Sequence, residues 1–195
     1  MTSLRYLSFF LLVWLMSGAC RSRQQANTTA DSTQTATQST KPAAKSIVLT
    51  ERLTALGLTQ SGHWRGISLG DSMATVATAE KGQPFEQDAT HVGYTIEFPN
   101  LESADFLYYQ QNGRVSAIDV DLYLNTRPSV VAYGKDLTAY FDQRFGQAVT
   151  RAGVTLWTGP QQEQIILKEV SKGKDYGLKI KIAPAGAGTL IVSAK

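Results

Sequence analysis

Residues Gly70–Pro84, GDSMATVATAEKGQP, and Gly134–Ala148, GKDLTAYFDQRFGQA, can be laid over one another. In both, two glycines stand twelve positions apart, Ser or Asp follows two after the first, Met or Leu comes next, and Gly-Gln comes near the end. Each stretch reads as a helix. Ser72 is suited to cap the first, Met73, Val76 and Ala77 share one of its faces, and Gly82 can take the left-handed conformation that stops it. In the second, Leu137, Tyr140, Phe141 and Phe145 fall on one stripe and Gly146 is the stop. Pro128 after Thr126 suits an early helical position, so this helix is expected to begin upstream of the repeated stretch.

The segments downstream of the two helices also correspond. After the first come a strand pattern over His91–Phe98 ended by Pro99 and Asn100, a second over Ala104–Gln110, a turn at Asn112 and Gly113, and a third over Val115–Leu124. Asn-Gly between alternating runs is a strong hairpin signal. After the second come Val154–Thr158, a turn at Gly159 and Pro160, Gln164–Val170, a turn at Lys172 and Gly173, and Leu178–Ile182. From turn glycine to the first inward residue is five positions in both, Gly113 to Ile118 and Gly173 to Leu178. The expected fold class is α+β: a tandem repeat of helix plus three or four antiparallel strands, helices on one face of the sheet, in units 64–127 and 128–195. A short helix over Thr50–Leu56 precedes the repeat, and Gly188–Ser193 is read as a closing strand. The competing reading is a chance match of two glycine-bounded helices.

Ile67, Gly70, Ser72 and Val76, followed by Gly82 and Pro84, resemble the opening motif of the small SmpA/OmlA-type outer-membrane lipoproteins of the barrel-assembly machinery. A duplicated helix-and-strands unit is similar to the β-lactamase inhibitor protein fold. The motif covers 18 residues; the sequence departs from the family in repeating the unit and in placing Ala79, Glu80 and Lys81 before Gly82, where an apolar residue is common. The resemblance implies a binding or scaffolding lipoprotein and identifies no partner.

The amino terminus agrees with that class. Arg5 gives a charged start, Leu7–Met16 is a ten-residue run apolar except for Ser8, and the small residues Ser17, Gly18 and Ala19 precede Cys20. A spanning helix needs about 20 apolar residues, so this order describes an export signal over residues 1–19. A cysteine directly after small residues resembles the lipobox of bacterial lipoproteins, although the family's usual Leu three places before it is Ser17 here. That resemblance implies a diacylated Cys20 thiol and an acylated new amino terminus, three chains in all, where a single chain gives only marginal membrane binding. Residues 21–45 are dominated by Gln, Ser, Thr, Ala and Asn, bury too little to offset ordering, and read as a disordered tether. Fully stretched, it would reach roughly 80 to 90 Å. Arg21 occupies the place where an Asp favours inner-membrane retention in proteobacterial sorting, so the expected home is the outer membrane, at its periplasmic face. The globular domain is expected over 46–195.

Cys20 is the only cysteine, which excludes an internal disulfide and a two-cysteine metal or redox site. Catalytic patterns are sparse. Gly66–Gly70 (GISLG) matches G-x-S-x-G, which would make Ser68 a nucleophile, but the only later histidine is His91, 23 residues on, and strands come next where alternating strands and helices are required. Ser171 and Lys174 match S-x-x-K in a turn containing glycine, which cannot hold them on one helix face. His63 and His91 offer too few nitrogen ligands for a structural zinc. Asp119 and Asp121 lie opposite Ile118, Val120 and Leu122 by strand alternation; with Glu97 or Asp105 they could ligate calcium, but a solvated outer face is the ordinary reading. No cofactor and no metal are expected.

Charge is divided. Residues 46–127 carry 5 Lys or Arg and 10 Asp or Glu, a net of −5, whereas 128–195 carry 9 and 5, a net of +4. At equivalent repeat positions Asp119 and Asp121 correspond to Lys179 and Lys181. Either these pair across the surface, if the two strands lie close, or the two lobes orient a polar partner or promote head-to-tail association. The sequence pI near 9.0 comes from the signal and tether, and nucleic-acid binding is not expected. The function read from the chain is non-enzymatic binding or scaffolding in the envelope, to a protein or a wall component. The contact candidates are Tyr108, Tyr109, Asp119, Asp121, Tyr123, Lys179 and Lys181, with Trp64 and Trp157 as further aromatics read chiefly as core. The rivals are a small hydrolase using Ser68 and a carrier of an apolar ligand.

Overall fold

Thr50, Ser72 and Thr126 each stand just before a helix and accept, through the side-chain oxygen, the backbone N–H three residues on. Such caps satisfy donors that the first turn leaves unpaired. They open α1 (Glu51–Ala55), α2 (Met73–Ala79) and α3 (Arg127–Phe145, with Pro128 in its first turn) in the computed structural model, which describes residues 46–186. The chain divides into two units, Met1–Ala43 and Ala44–Lys195, and all described residues belong to the second. Cys20, the signal, the tether and Gly188–Ser193 lie outside the described residues.

Gly146 ends α3 at φ 85°, as the sequence suggests. Gly82 does not end α2. That helix stops at Ala79 because Glu80 turns to extended backbone (ψ 120°) and sends its side chain into the core.

The strands are β1 (Glu86–Gln87), β2 (His91–Glu97), β3 (Ser103–Gln111), β4 (Arg114–Leu124), β5 (Val149–Arg151), β6 (Val154–Thr158), β7 (Glu163–Glu169) and β8 (Tyr176–Pro184). They form one antiparallel sheet in the order β1-β2-β3-β4-β8-β7-β6-β5. Asn112 and Gly113 take φ of 54° and 73°, the paired left-handed values of the tight β3–β4 turn. Ala152 and Gly153 do the same at 50° and 75° and create the β5–β6 hairpin.

Register places Tyr94, Phe106, Val120, Ile180 and Leu167 in one row across the sheet, and Val92, Tyr108, Ile118, Ile182, Ile165 and Trp157 in the next. These rows form the core face. The buried apolar residues of the three helices, including Leu53, Val76, Leu137 and Phe141, join the same cluster. Ring contacts lock it: Phe141 lies 5.1 Å from Trp157, Trp64 6.0 Å from Phe106 and Phe98 6.3 Å from Tyr133. Each such large side chain contributes about 1.5 to 3 kcal/mol by leaving water. The other face of the sheet is left to Thr95, Asp105, Asp121, Lys179 and Lys168 in one row, and to Leu107, Asp119, Lys181, Ile166 and Leu156 in the next.

Candidate functional site

The central strand pair, β4 against β8, brings the sequence's acidic and basic residues together on the open face. Asp119 stands opposite Lys181 and Asp121 opposite Lys179. Lys179 Nζ lies 3.2 Å from Asp121 Oδ1. Burial pulls the Lys179 ammonium down, but Asp121 and Asp119 outweigh it and its pKa stands above the ordinary lysine value. Asp119 differs. Burial raises its pKa, Lys181 and Lys179 offset this only in part, and Oδ1 is enclosed with no hydrogen-bond partner among the described residues. The face therefore holds one closed ion pair beside one carboxylate short of a donor.

Tyr109 and Tyr123 flank this seam. Tyr123 is 53 % exposed, and the Tyr109 ring lies 5.5 Å from His91. Tyr108 is a correction: it is fully buried. Strand alternation allows only one of two adjacent tyrosines to face outward, and Tyr108 shares the core face with Phe106, opposite Ile118. Its hydroxyl donates to Glu80 Oε1 at 2.5 Å, and burial, with Glu80 beside it, pushes the phenol far above its ordinary value. Trp64 and Trp157 are core residues too; Trp157 Nε1 donates to Asp142 Oδ1 at 2.8 Å.

Glu80 is the centre of a network that the sequence gives no spacing for. Arg65 grips both its oxygens, at 2.9 Å each, donates a third hydrogen bond to the Leu56 carbonyl, and lies 4.8 Å from the Phe106 ring centre. Burial lowers the guanidinium's affinity for its proton, but the bonds to Glu80 more than restore it and its pKa is raised. The carboxylate has three donors and the fork is used on both edges, so the group is a closed structural device.

Ser68 lies in a cleft of about 390 Å³ that His63, Arg144, Phe145, Gln161 and Glu163 also line. The histidine is close, yet its ring nitrogens bond to groups other than this serine. Leu69 N–H donates to His63 Nδ1 at 3.1 Å, which fixes the tautomer with its hydrogen on Nε2, and Nε2 lies 3.2 Å from Glu163 Oε1. Both ring nitrogens are spent. The Ser68 N–H donates to Asp71 Oδ2 at 2.7 Å, and Ser68 Oγ makes no hydrogen bond among the described residues. Burial raises the Glu163 pKa, but its own and the Gln161 backbone N–H and His63 more than reverse this, so it stands below the ordinary value. Nucleophile, base and orienting acid thus share a neighbourhood without the nucleophile–base contact that activation requires.

The other candidates separate. His91 is held by Glu86 at 2.8 Å and Asp88 at 3.2 Å, on the far side of the sheet order from the His63 partner Glu163. Ser171 Oγ accepts the Gly177 N–H at 3.2 Å in the turn that also carries Lys174. Among the described residues no cluster of three or more His, Cys, Asp or Glu could hold a metal, and Asp119 and Asp121, for which calcium was the lesser reading, stand opposite Lys181 and Lys179 on the outer face. Among the same residues no helix is long and apolar enough to cross a membrane. Comparison of the chain with protein-family models, with curated proteins and with solved structures finds no match.

Proposed function

We propose that the protein is a lipid-anchored, non-enzymatic binding or scaffolding protein of the cell envelope, held through Cys20 at the periplasmic face of the outer membrane. Its partner is a protein or a wall component. The observation that carries this reading is the open face of the sheet: the helices of the described residues pack on the other side, leaving Asp105, Asp119 and Asp121 beside Lys168, Lys179 and Lys181, with Tyr109 and Tyr123 next to them. Mixed charge with amphipathic aromatics suits polar recognition with a fixed orientation. Two observations favour it over its rivals. The committed nitrogens of His63 weigh against a Ser68 hydrolase. The fully buried Phe106, Ile118, Val120, Leu137 and Phe141 weigh against an apolar ligand held between sheet and helices.

The test is crosslinking in native envelopes, with wild type beside Tyr123→Ala and Lys181→Glu. An adduct formed by wild type and lost in both variants supports the open face, whereas adducts identical in all three remove it. Cys20→Ser should move the protein out of the membrane fraction; retention there would refute the anchor.

The finer architecture is part of the same proposal: the domain arose by duplication of a helix-and-four-strand unit. The offset of 60 residues that relates Gly113 to Gly173 also relates Val120 to Ile180, and those two residues pair directly. Around that pair the register places residues 118 and 122 against residues 182 and 178, the pattern a local two-fold axis between equivalent strands requires.

A further inference from the structure

The cleft beside Ser68 contains a cation that the fold holds still. Arg144, in the last turn of α3, donates through Nη1 to the Tyr140 hydroxyl at 2.5 Å, and its guanidinium carbon lies 5.3 Å from the Tyr140 ring centre and 5.1 Å from that of Phe145. Tyr140 is itself fixed, donating its hydroxyl to the Thr59 carbonyl at 2.9 Å. Yet among the described residues no Asp or Glu forms an ion pair with Arg144. The carboxylate that shares the cleft, Glu163, is taken by His63 and the Gln161 N–H.

Other polar groups on the lining are also spent. Gln60 exchanges two hydrogen bonds with the Ile47 backbone, and Gln143 serves the Val48 N–H and the Ala139 carbonyl. Among the described residues, three sets of donors lack partners: the rest of the Arg144 fork, Ser68 Oγ and the Gln161 side-chain amide. The same lining carries the apolar Ile47, Phe145 and Pro160. A guanidinium immobilised before any ligand arrives loses little entropy on binding, and its planar fork matches a carboxylate. The ionised Glu163 close by opposes a second negative charge, which selects a monoanion over a phosphate dianion.

We propose that this cleft is a binding site for a carboxylate with a small apolar body, gripped by Arg144 and completed by Ser68 and Gln161. The site is independent of the open sheet face. Arg144 also complements the negative end of the α3 dipole, a role that needs neither the cleft nor the unpartnered donors. The two roles make different predictions.

The test is an NMR titration of the full chain, 15N-labelled in detergent micelles, with N-acetyl-leucine and with its uncharged amide. The acid should give saturable shifts at Leu69, Arg144, Phe145 and Gln161, and the amide should bind about tenfold more weakly or worse. Arg144→Gln should weaken the acid by about tenfold or more, while Arg144→Lys keeps part of the affinity as a point charge. Because Arg144 also supports α3, Ser68→Ala and Gln161→Ala carry the test independently: each should weaken the acid about threefold or more without moving the thermal unfolding midpoint. A purely helix-stabilising Arg144 predicts lower stability on substitution and no response to acid in any variant. Equal response to acid and amide, no saturation at millimolar acid, or tighter binding of inorganic phosphate would each overturn the proposal. Acetyl-Ala-Ala-Leu distinguishes the source: tighter binding than N-acetyl-leucine assigns the site to a polypeptide end, and equal binding to a free small acid.

Discussion

Arg65 and Glu80 are fifteen residues apart, on a loop and at a helix end, and neither periodicity nor any motif marks them as partners. Their pairing follows from burial: Glu80 is 6 % exposed, and an ionised carboxylate there requires a cation and further donors. Arg65→Ala should therefore cost about 3 to 5 kcal/mol in denaturant unfolding, because it removes one partner of a buried pair and leaves the Glu80 carboxylate without its cation. Tyr108→Phe removes only the third donor and should cost about 1 to 3 kcal/mol. Asp119 has the opposite sign. A carboxylate whose folded-state pKa is raised by burial is destabilising while ionised, and the penalty fades as pH falls through that raised value. Asp119→Asn should raise the unfolding midpoint at pH 7, and the gain should vanish below the unfolded value near 3.8. Glu102 and Glu163 behave conversely. Burial opposes their charge, but hydrogen bonds to each carboxylate hold both below their ordinary value, so their contribution is intact above about pH 4.5 and is lost as pH falls through the lowered values. At this scale the sequence separates outward from inward residues along each strand, but it cannot show that His63 and Glu163, 100 residues apart, would meet.

Elements were more legible than residues. The caps at Thr50, Ser72 and Thr126 and the stop at Gly146 are written in local chemistry, and the long strands follow from alternation and turn signals. The two shortest strands left no such trace. β1 has two residues and β5 three, all exposed, so neither shows alternation, and Ala152 is not a residue that announces a left-handed turn. The stop of α2 was hidden because it depends on where Glu80 finds its partner rather than on Gly82. Within α3, Gly134 is a weak point that packing does not require: a Cβ built there meets nothing within 4 Å, and its φ is not left-handed. Gly134→Ala should raise stability by about 0.5 to 1 kcal/mol, measured by chemical denaturation. Gly93 is different, since a Cβ there would come within 2.7 Å of the Phe85 ring that lies over it. Gly93→Ala should displace Phe85 and loosen β1 from the sheet, visible as faster amide exchange at Phe85, whose N–H bonds to the Gly93 carbonyl.

For the molecule as a whole, the division of charge in the sequence resolves into a seam. The acidic half supplies β4, the basic half supplies β8, and the two strands lie side by side. A double-mutant cycle on Asp121 and Lys179 should return a coupling below about 1 kcal/mol, since Lys179 is partly exposed, and added salt should reduce it further. Among the described residues the sheet's outer edges are its shortest strands, which limits their use as templates for another chain. The seam also fixes how the chain closes on itself. Tight hairpins join β3 to β4 and β5 to β6, whereas more than fifty residues lie between Leu124 and Tyr176, where β4 and β8 meet. Drawing those ends together costs about 3.5 kcal/mol of chain entropy before Val120 and Ile180 touch. Local meanders can form at once from near neighbours, but the shared core must wait for one distant strand pair, so the pace of folding belongs to the seam.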